Sequence, residues 1–131
     1  MDEQRIYVVV AGTVQVPAST KALRTIIQPP GRQIAQACHA VSALRHIPCN
    51  QHSTYELPFV PVTTIILQCR DSAELGHNLF SLIQKKLNPV IFHDTNEAVY
   101  GPGQFATAIA VYATAKQVWK VLDYLPLWGA Q

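Results

Sequence analysis

Residues 31 to 41, GRQIAQACHAV, carry three side chains that can do chemistry at helical spacing. Successive residues of a helix turn by about 100°, so Arg32, Gln36 and His39 share one face, together with His46. An arginine can hold a phosphate or an oxyanion through two parallel hydrogen bonds. A glutamine can orient a carbonyl group, and a histidine can exchange a proton near neutral pH. The stretch predicts either a ligand-binding face or an ordinary solvated face.

The composition of this helix bears on that choice. A solvated face normally carries Glu and Lys, and neither occurs between residues 31 and 46. The helix also carries small side chains, at Ala35, Ala40 and Ala43. Because these side chains do not protrude, a ligand or another backbone can approach the helix closely. The residues expected to pack on a sheet share the opposite face: Ile34, Ala37, Cys38 and Val41.

The elements that position these side chains follow from hydrophobic periodicity and turn residues. Four strands are predicted, over 5–14, 62–69, 89–93 and 105–113. Three helices are predicted, over 32–46, 71–87 and 115–125. Residues 15–30 contain Pro17, Pro29 and Pro30 and are predicted to be a long irregular loop. Residues 94–104 are predicted to be a helix-free loop that ends in a tight turn at Pro102 and Gly103.

The order of these elements favours an α/β fold. Helix-connected strands pair in parallel, whereas the direct connection to the fourth strand predicts an antiparallel neighbour. We therefore expect one domain over 1–131, a three-layer α/β/α sandwich with a mixed four-stranded sheet. In such sheets the functional groups gather where strands end and helices begin.

Caps and inward-facing residues are predicted for the second and third helices. Asp71 and Glu74 have the spacing of a capping box, and Thr114 can cap the last helix. The residues of that helix predicted to face inward are Val118, Trp119, Leu122 and Leu125. Trp128 is predicted to anchor the C-terminal segment.

Composition limits the class of protein. Among 131 residues 14% are charged, against roughly 25% in typical soluble domains, so copies repel each other weakly, which favours a self-associating surface. The net charge of +2 does not by itself indicate a nucleic-acid partner. No apolar run approaches the ~20 residues that span a bilayer, and the first residues do not resemble a secretory signal. The lack of such a run predicts no membrane partner. Cys38, Cys49 and Cys69 form no disulfide framework, which favours the reducing cytoplasm.

A zinc site is a weaker alternative. His39, His46, Cys49 and His52 include two usual zinc ligand types, but structural zinc sites are usually anchored by a C-x2-C pair and none occurs here. The sequence therefore predicts no metal and no cofactor.

The helix 32–46 resembles the first helix of type-II peptidyl-tRNA hydrolases, which reads roughly G-K-x-A-A-Q-x-x-H-A. The matching residues are Gly31, Ala35, Gln36, His39 and Ala40, and Arg32 stands where that family has lysine. DSAEL at 71–75 resembles the D-E-E-x-L of its second helix. Asp94 and Pro102-Gly103 resemble the two ends of its D-A-G-R-T-Q-I-A-P-G loop. The QACHA and ATAIAV segments are more similar to the divergent peptidyl-tRNA hydrolase domain-containing proteins.

This resemblance implies a type-II peptidyl-tRNA hydrolase-like fold, a tRNA partner and hydrolysis of the ester between a peptide and the 3′ end of tRNA. Together with the charge-poor surface, the resemblance also predicts a homodimer. Asp94 is then expected to position or deprotonate a water, and His39 to act as an acid or base. Arg32 and Gln36 are expected to contact the substrate, as are Gln68 and Glu97, which stand at two positions where the family has basic residues. Tyr100, just before the tight turn, is a further candidate from the sequence itself, since it could stack on a base or pack beneath its loop.

The chain also departs from the family pattern. Glu97 and Ala98 stand where the family loop has arginine and threonine, and Gln68 stands where its second strand ends in lysine. A carboxylate in place of a cation repels a phosphodiester. The alternative is therefore a catalytically inactive relative that binds RNA, a nucleotide or a protein.

Overall fold

A computed structural model describes residues 3–19, 21–45 and 62–129 of the chain. The strands are β1 (Gln4–Ala11), β2 (Thr13–Ser19), β3 (Ala22–Ile27), β4 (Thr64–Cys69), β5 (Val90–Asp94) and β6 (Phe105–Thr114). The helices are α1 (Pro30–Arg45), α2 (Ser72–Gln84), α3 (Glu97–Tyr100) and α4 (Ala115–Val118). No helix in these ranges is long and apolar enough to cross a membrane.

The main sheet confirms the predicted mixed four-stranded arrangement, with strand order β4-β1-β6-β5. β1 and β4 are parallel, and β6 is antiparallel to both of its neighbours, β1 and β5. The central strand β1 is buried on both faces, as its continuous apolar run predicts. Alternate residues of β1 pack against α1 on one face, Val8 and Val10 among them, and against α2 on the other, where Val9 and Ala11 lie.

Residues 15–30 are not an irregular loop, and that prediction is wrong. Most of the segment forms the antiparallel ribbon of β2 and β3. Val14, Val16 and Ile26 line the inner face of the ribbon and pack with Tyr100 and other residues of the 99–105 segment. Proline is tolerated in a strand where its position requires no N–H donor, so Pro17 does not exclude β structure here.

The buried face of α1 also differs from the prediction. Gln33, Gln36, Ala37, Ala40 and Leu44 are buried, whereas Ile34 is 46% exposed and Cys38 is exposed. The helix is rotated so that Gln33 and Gln36 are buried in place of Ile34 and Cys38. Burying an amide is tolerated when it finds hydrogen-bond partners, which both ends of the Gln33 amide and the Nε2 group of Gln36 do.

Helix α2 begins as predicted, with Asp71 as its cap. The Asp71 side chain accepts from the N–H of Glu74 at 2.9 Å. The reciprocal half of the predicted capping box is shifted by one residue, because the Glu74 carboxylate accepts from the N–H of Arg70 at 2.8 Å. Both contacts satisfy donors near the first turn that the helix itself cannot.

The last predicted helix is shorter than expected. Thr114 and Gln117 form a complete capping box, but α4 ends at Val118, and Lys120 has a φ of 69°. This turn brings Leu122 and Leu125 into the core and leaves Trp119 58% exposed, against the prediction for that residue. It also places the following segment beside β4, where Gln68 N–H donates to the Pro126 carbonyl at 3.0 Å.

The connection from β5 to β6 contains one helical turn, α3, where none was predicted. Its last residue, Tyr100, is 1% exposed, and the turn carries this ring beneath the loop. Gly101 follows with φ 86° and ψ −176°, a backbone region that is essentially restricted to glycine. The helical turn therefore depends on a glycine at its end.

Two glycine-to-alanine substitutions are expected to have opposite effects on stability. Gly101→Ala should lower the free energy of unfolding by about 1–3 kcal/mol, because the new side chain is strained at this φ. Gly76→Ala, at an exposed site inside α2 with no atom within 4 Å of the added carbon, should raise it by about 0.5–1 kcal/mol. Urea denaturation of both variants measures the difference. A Gly101→Ala variant as stable as the wild type would contradict the requirement for glycine at the end of α3.

Candidate functional site

Three strands end at one edge of the main sheet. β1 and β4 run parallel, and β5 runs in the same direction because both β1 and β5 are antiparallel to β6. The last residues of these strands are Ala11, Cys69 and Asp94. The first turns of α1 and α2 follow at this same edge, as expected for an α/β sheet.

The side chain of Asp94 is held from two sides. Its Oδ2 accepts from Gln36 Nε2 at 2.6 Å, and its Oδ1 accepts from the N–H of Asn96 at 2.9 Å. Gln36 lies in α1, 58 residues away along the chain. A hydrogen bond to a carboxylate is shorter and stronger than one between neutral groups. The two contacts fix the orientation of the carboxylate at the end of β5.

Gln36 also joins Asp94 to a buried tyrosine. Its Nε2 lies 3.3 Å from the Tyr100 hydroxyl, which in turn donates to Gln28 Oε1 at 2.5 Å. Gln28 Nε2 donates to the Ala11 carbonyl at 3.1 Å. Tyr100 therefore packs beneath its loop and serves as a polar link, so its ring is not exposed for stacking.

The surroundings of Tyr100 keep its hydroxyl protonated. Burial raises the pKa of Tyr100, and the negative charge of Asp94 raises it further. The hydrogen bond with Gln36 and the positive charge of Arg32 act in the opposite direction but are smaller than the effect of burial. At neutral pH the hydroxyl can thus donate to Gln28.

Gln33 continues the network toward β4. Its Nε2 donates to the Gln28 carbonyl at 2.7 Å, and its Oε1 accepts from Gln68 Nε2 at 2.9 Å and from Trp128 Nε1 at 3.0 Å. Gln28 and Gln33 were not predicted as site residues. The available signal was the pair of glutamines at 33 and 36, which are spaced to share a helix face with the small residue Ala37.

We refer to Gln28, Gln33, Gln36, Gln68, Asp94 and Tyr100 as the polar network. One atom in it has no partner, because the Gln36 carbonyl oxygen is buried and accepts no hydrogen bond from any residue in the described ranges. A buried acceptor without a donor costs free energy. A donor on a bound molecule would remove that cost.

The remaining predicted site residues, Arg32, His39 and Glu97, are not members of the polar network. Arg32 is half-buried in the first turn of α1, and its charge acts on Tyr100. His39 is exposed, and its ring stacks on Phe92 of β5 with centroids 4.7 Å apart and planes inclined by 21°. Glu97 is exposed in the first turn of α3. The direct hydrogen bonds join Gln36, Asp94 and Tyr100, and Gln68 is connected through Gln33.

A cleft of about 580 Å³ opens beside the β4 end of the polar network. Its lining includes Gln68, Tyr124 and Pro126, together with Arg70 and Glu74 at the start of α2. Arg70 and Glu74 form an ion pair at 3.2 Å, and the Arg70 side chain is 83% exposed. Gln68 therefore lies where the network reaches solvent.

The thiols of Cys38 and Cys69 are expected to differ in reactivity. Burial raises the pKa of Cys69 to about 12, with smaller contributions from the charges of Glu74 and Asp71. At pH 8 only about one in 10⁴ of its thiols is ionised, and the thiolate is the reactive form. In a Cys49→Ser variant, a thiol reagent should modify exposed Cys38 in the folded protein and Cys69 only after unfolding. Equal rates at both sites, measured by mass spectrometry of peptides, would contradict this.

Three of the four candidate zinc residues, His46, Cys49 and His52, lie outside the described residues. Within 3–19, 21–45 and 62–129 no group of three or more His, Cys, Asp or Glu side chains could hold a metal ion.

The polar network thus combines a fixed carboxylate, a buried hydroxyl and several amides at the strand ends. Comparison of the chain with protein-family models and with curated proteins finds no match.

Proposed function

We propose that this protein has a type-II peptidyl-tRNA hydrolase-like three-layer fold and cleaves the ester between a peptide and the 3′ end of tRNA. The observation that carries the proposal is the 2.6 Å contact between Gln36 and Asp94. Gln36 belongs to the helix motif and Asp94 to the loop motif on which the sequence resemblance rests. Two segments that resemble the family separately therefore meet in space at the edge where the strands end.

Asp94 is the proposed base. A carboxylate oxygen can accept more than one hydrogen bond, so the contacts with Gln36 and Asn96 leave acceptor capacity for a water. In the proposed step this water attacks the ester carbonyl carbon and passes its proton to Asp94. The bond from the carbonyl carbon to the ribose 3′ oxygen then breaks, and that oxygen takes the proton held by Asp94, directly or through His39. The products are a free tRNA 3′ end and a peptide carboxylic acid, which ionises to the carboxylate.

Arg32 is the proposed substrate contact, and Gln36 is proposed to act on the substrate through Asp94. Arg32 lies in the first turn of α1, where free N–H groups also favour anions, so it suits a phosphate or the developing oxyanion. Gln36 is 2% exposed, so its proposed role is to hold the Asp94 carboxylate in place. Tyr100 acts through Gln36, as a positioning residue that holds the amide on Asp94.

His39 has two roles in the proposal. It is exposed and can exchange a proton with the leaving 3′ oxygen. Its stacking on Phe92 also fixes the imidazole plane, so that the outer face of the ring can contact a base. The proposal further includes a cytoplasmic homodimer with tRNA as its partner. The unpaired thiols of Cys38 and Cys69 suit a reducing compartment.

A second candidate is a binding module without activity. Gln68, at the position of the family's lysine, has its amide on Gln33 inside the network and brings no charge to a substrate. Glu97 is exposed at the position of the family's arginine. Without the two positive charges of the family's lysine and arginine, the site offers less positive potential to a phosphate. This favours binding without catalysis.

Release of tRNA from N-acetyl-aminoacyl-tRNA separates the two candidates. The hydrolase proposal expects turnover above the buffer rate, reduced about 10²-fold or more by Asp94→Asn and less by His39→Ala. Salt-dependent binding of deacylated tRNA without turnover would support the binding module. The absence of both turnover and tRNA binding at low salt would contradict the hydrolase and an RNA-binding module alike.

A further inference from the structure

The outer edge of β3 is free in the described part of the chain. β3 pairs with β2 in a two-stranded sheet and with no other described strand. Leu23 and Ile27 on this strand are 67% and 76% exposed. A free edge with apolar side chains is a template for pairing with another strand.

The pairing register fixes the direction of the backbone groups of β3. Opposite residues of an antiparallel pair alternate between those that bond to each other and those whose N–H and C=O point outward. Gln15 lies opposite Thr25, and its N–H donates to Ser72 Oγ at 3.1 Å rather than to β3. Thr13 lies opposite Ile27, and its N–H donates to the carbonyl of residue 70 at 3.1 Å. Thr25 and Ile27 therefore direct their own backbone groups toward the free edge.

The same alternation includes Leu23, which lies opposite Pro17. Proline has no N–H to donate, so this pair too is one whose backbone groups point outward. The free edge of β3 thus presents the donors and acceptors of Leu23, Thr25 and Ile27. Their side chains share the outer face of the ribbon, because alternate residues of a strand point to the same side.

From this arrangement we infer the interface of the expected homodimer: β3 pairs with β3 of a second copy of the chain, antiparallel and about a twofold axis at Thr25. Thr25 then lies opposite Thr25 of the partner subunit, and Leu23 lies opposite Ile27 of the partner subunit. Three N–H groups from each copy are satisfied, and the two exposed apolar side chains pair across the axis.

A second copy of the chain is the proposed partner of the β3 edge because the outward-pointing residues of β3 are arranged symmetrically. Leu23 and Ile27 are equally spaced about Thr25, so this register pairs all three outward-pointing residues of β3 with one another. Centring the axis on Leu23 would instead place Ile27 opposite Ser19 of the partner subunit. In the inferred register Arg24 faces Ile26 of the partner subunit, so no like charges are directly opposite.

This pairing identifies the surface of the homodimer and does not depend on the proposed hydrolysis. A single pair of short strands buries less area than a standard interface, so the dimer should dissociate on dilution. β3 ends one residue before Gln28, which places the polar network directly behind the interface.

Sedimentation velocity across a concentration series tests the inference. The wild type should shift from monomer to dimer, and Thr25→Pro should raise the dissociation constant at least about tenfold, because it removes the central donors. The Thr25 N–H points away from β2, so this proline breaks no hydrogen bond within the ribbon. Phe80→Lys, at a residue of α2 that is 58% exposed, is the matched control and should leave dimerisation unchanged.

A pair of double variants tests the register itself. Leu23→Lys/Ile27→Lys places like charges opposite each other and should abolish the dimer. Leu23→Glu/Ile27→Lys places opposite charges together twice and should retain it. Far-UV circular dichroism establishes whether each variant is folded. If Thr25→Pro does not fold, the two double variants alone test whether β3 forms the dimer interface. A wild type that stays monomeric at high concentration, or a dimer that is indifferent to all these changes, would overturn the inference.

Discussion

Gln36→Glu is expected to lower the free energy of unfolding by about 3–5 kcal/mol at neutral pH, and by much less in acid. In the wild type Gln36 Nε2 donates to Asp94 Oδ2 at 2.6 Å, and Gln36 is 2% exposed. The substitution replaces this donor with a second carboxylate in a buried position. Two carboxylates so close cannot both ionise without a large penalty.

The pH dependence of this effect has a definite sign. The like charge and burial raise the pKa of the introduced carboxyl in the folded protein above its unfolded value. Stability is then retained while the carboxyl is protonated, at low pH, and is lost as the pH rises. The gap between wild type and Gln36→Glu should therefore widen from about pH 4 upward.

Urea denaturation of both proteins at several pH values measures this gap. Gln36→Leu is the control, because it removes the same hydrogen bond without adding a charge. It should cost about 2 kcal/mol with little dependence on pH. A gap for Gln36→Glu that is small, or constant across the pH range, would mean that Gln36 and Asp94 are not in contact.

Tyr100→Ala is expected to lower the free energy of unfolding by about 3–5 kcal/mol, through the cavity left beneath the loop. The ring is 1% exposed and packs with Val14, Val16 and Phe105. Tyr100→Phe keeps the ring but leaves Gln28 Oε1 without its donor, and should cost about 1–2 kcal/mol. The two variants thus separate packing from the hydrogen bond.

The contribution of the Tyr100 hydroxyl to stability can also be measured at high pH. The pKa of Tyr100 is raised in the folded protein, so ionisation of the unfolded chain lowers wild-type stability as the pH rises above about 10. Tyr100→Phe lacks this contribution, and its gap from the wild type should narrow there. Thermal denaturation at pH 7 and pH 10.5 measures both gaps. A Tyr100→Phe variant as stable as wild type at pH 7 would contradict the assigned hydrogen bond.

Elements with a strong local signal were predictable from the sequence. β1 follows from its continuous apolar run, the start of α2 from Asp71, and the antiparallel direction of β6 from its short connection. Gln36 and Asp94 were both predicted as site residues, but their direct contact was not predicted, and α1 is rotated from the predicted orientation.

Features decided by tertiary contacts were not predictable. The ribbon of β2 and β3 depends on the cover that Tyr100 provides, and nothing local in residues 15–30 indicates that cover. The burial of Gln33 depends on Gln68 and Trp128, which approach it from distant segments. The early end of α4 depends on the turn that brings Leu125 into the core. In each case a partner far along the chain outweighs local propensity.

The measurement that tests the central claim most directly is a double-mutant cycle on tRNA release from N-acetyl-aminoacyl-tRNA. It compares wild type, Gln36→Leu, Asp94→Asn and the double variant, each shown to be folded. If Gln36 acts by holding Asp94, the double variant should lose no more activity than Asp94→Asn alone. Independent, multiplying losses would contradict this role for Gln36. A wild type that releases no tRNA above the buffer rate would contradict the proposed hydrolysis itself.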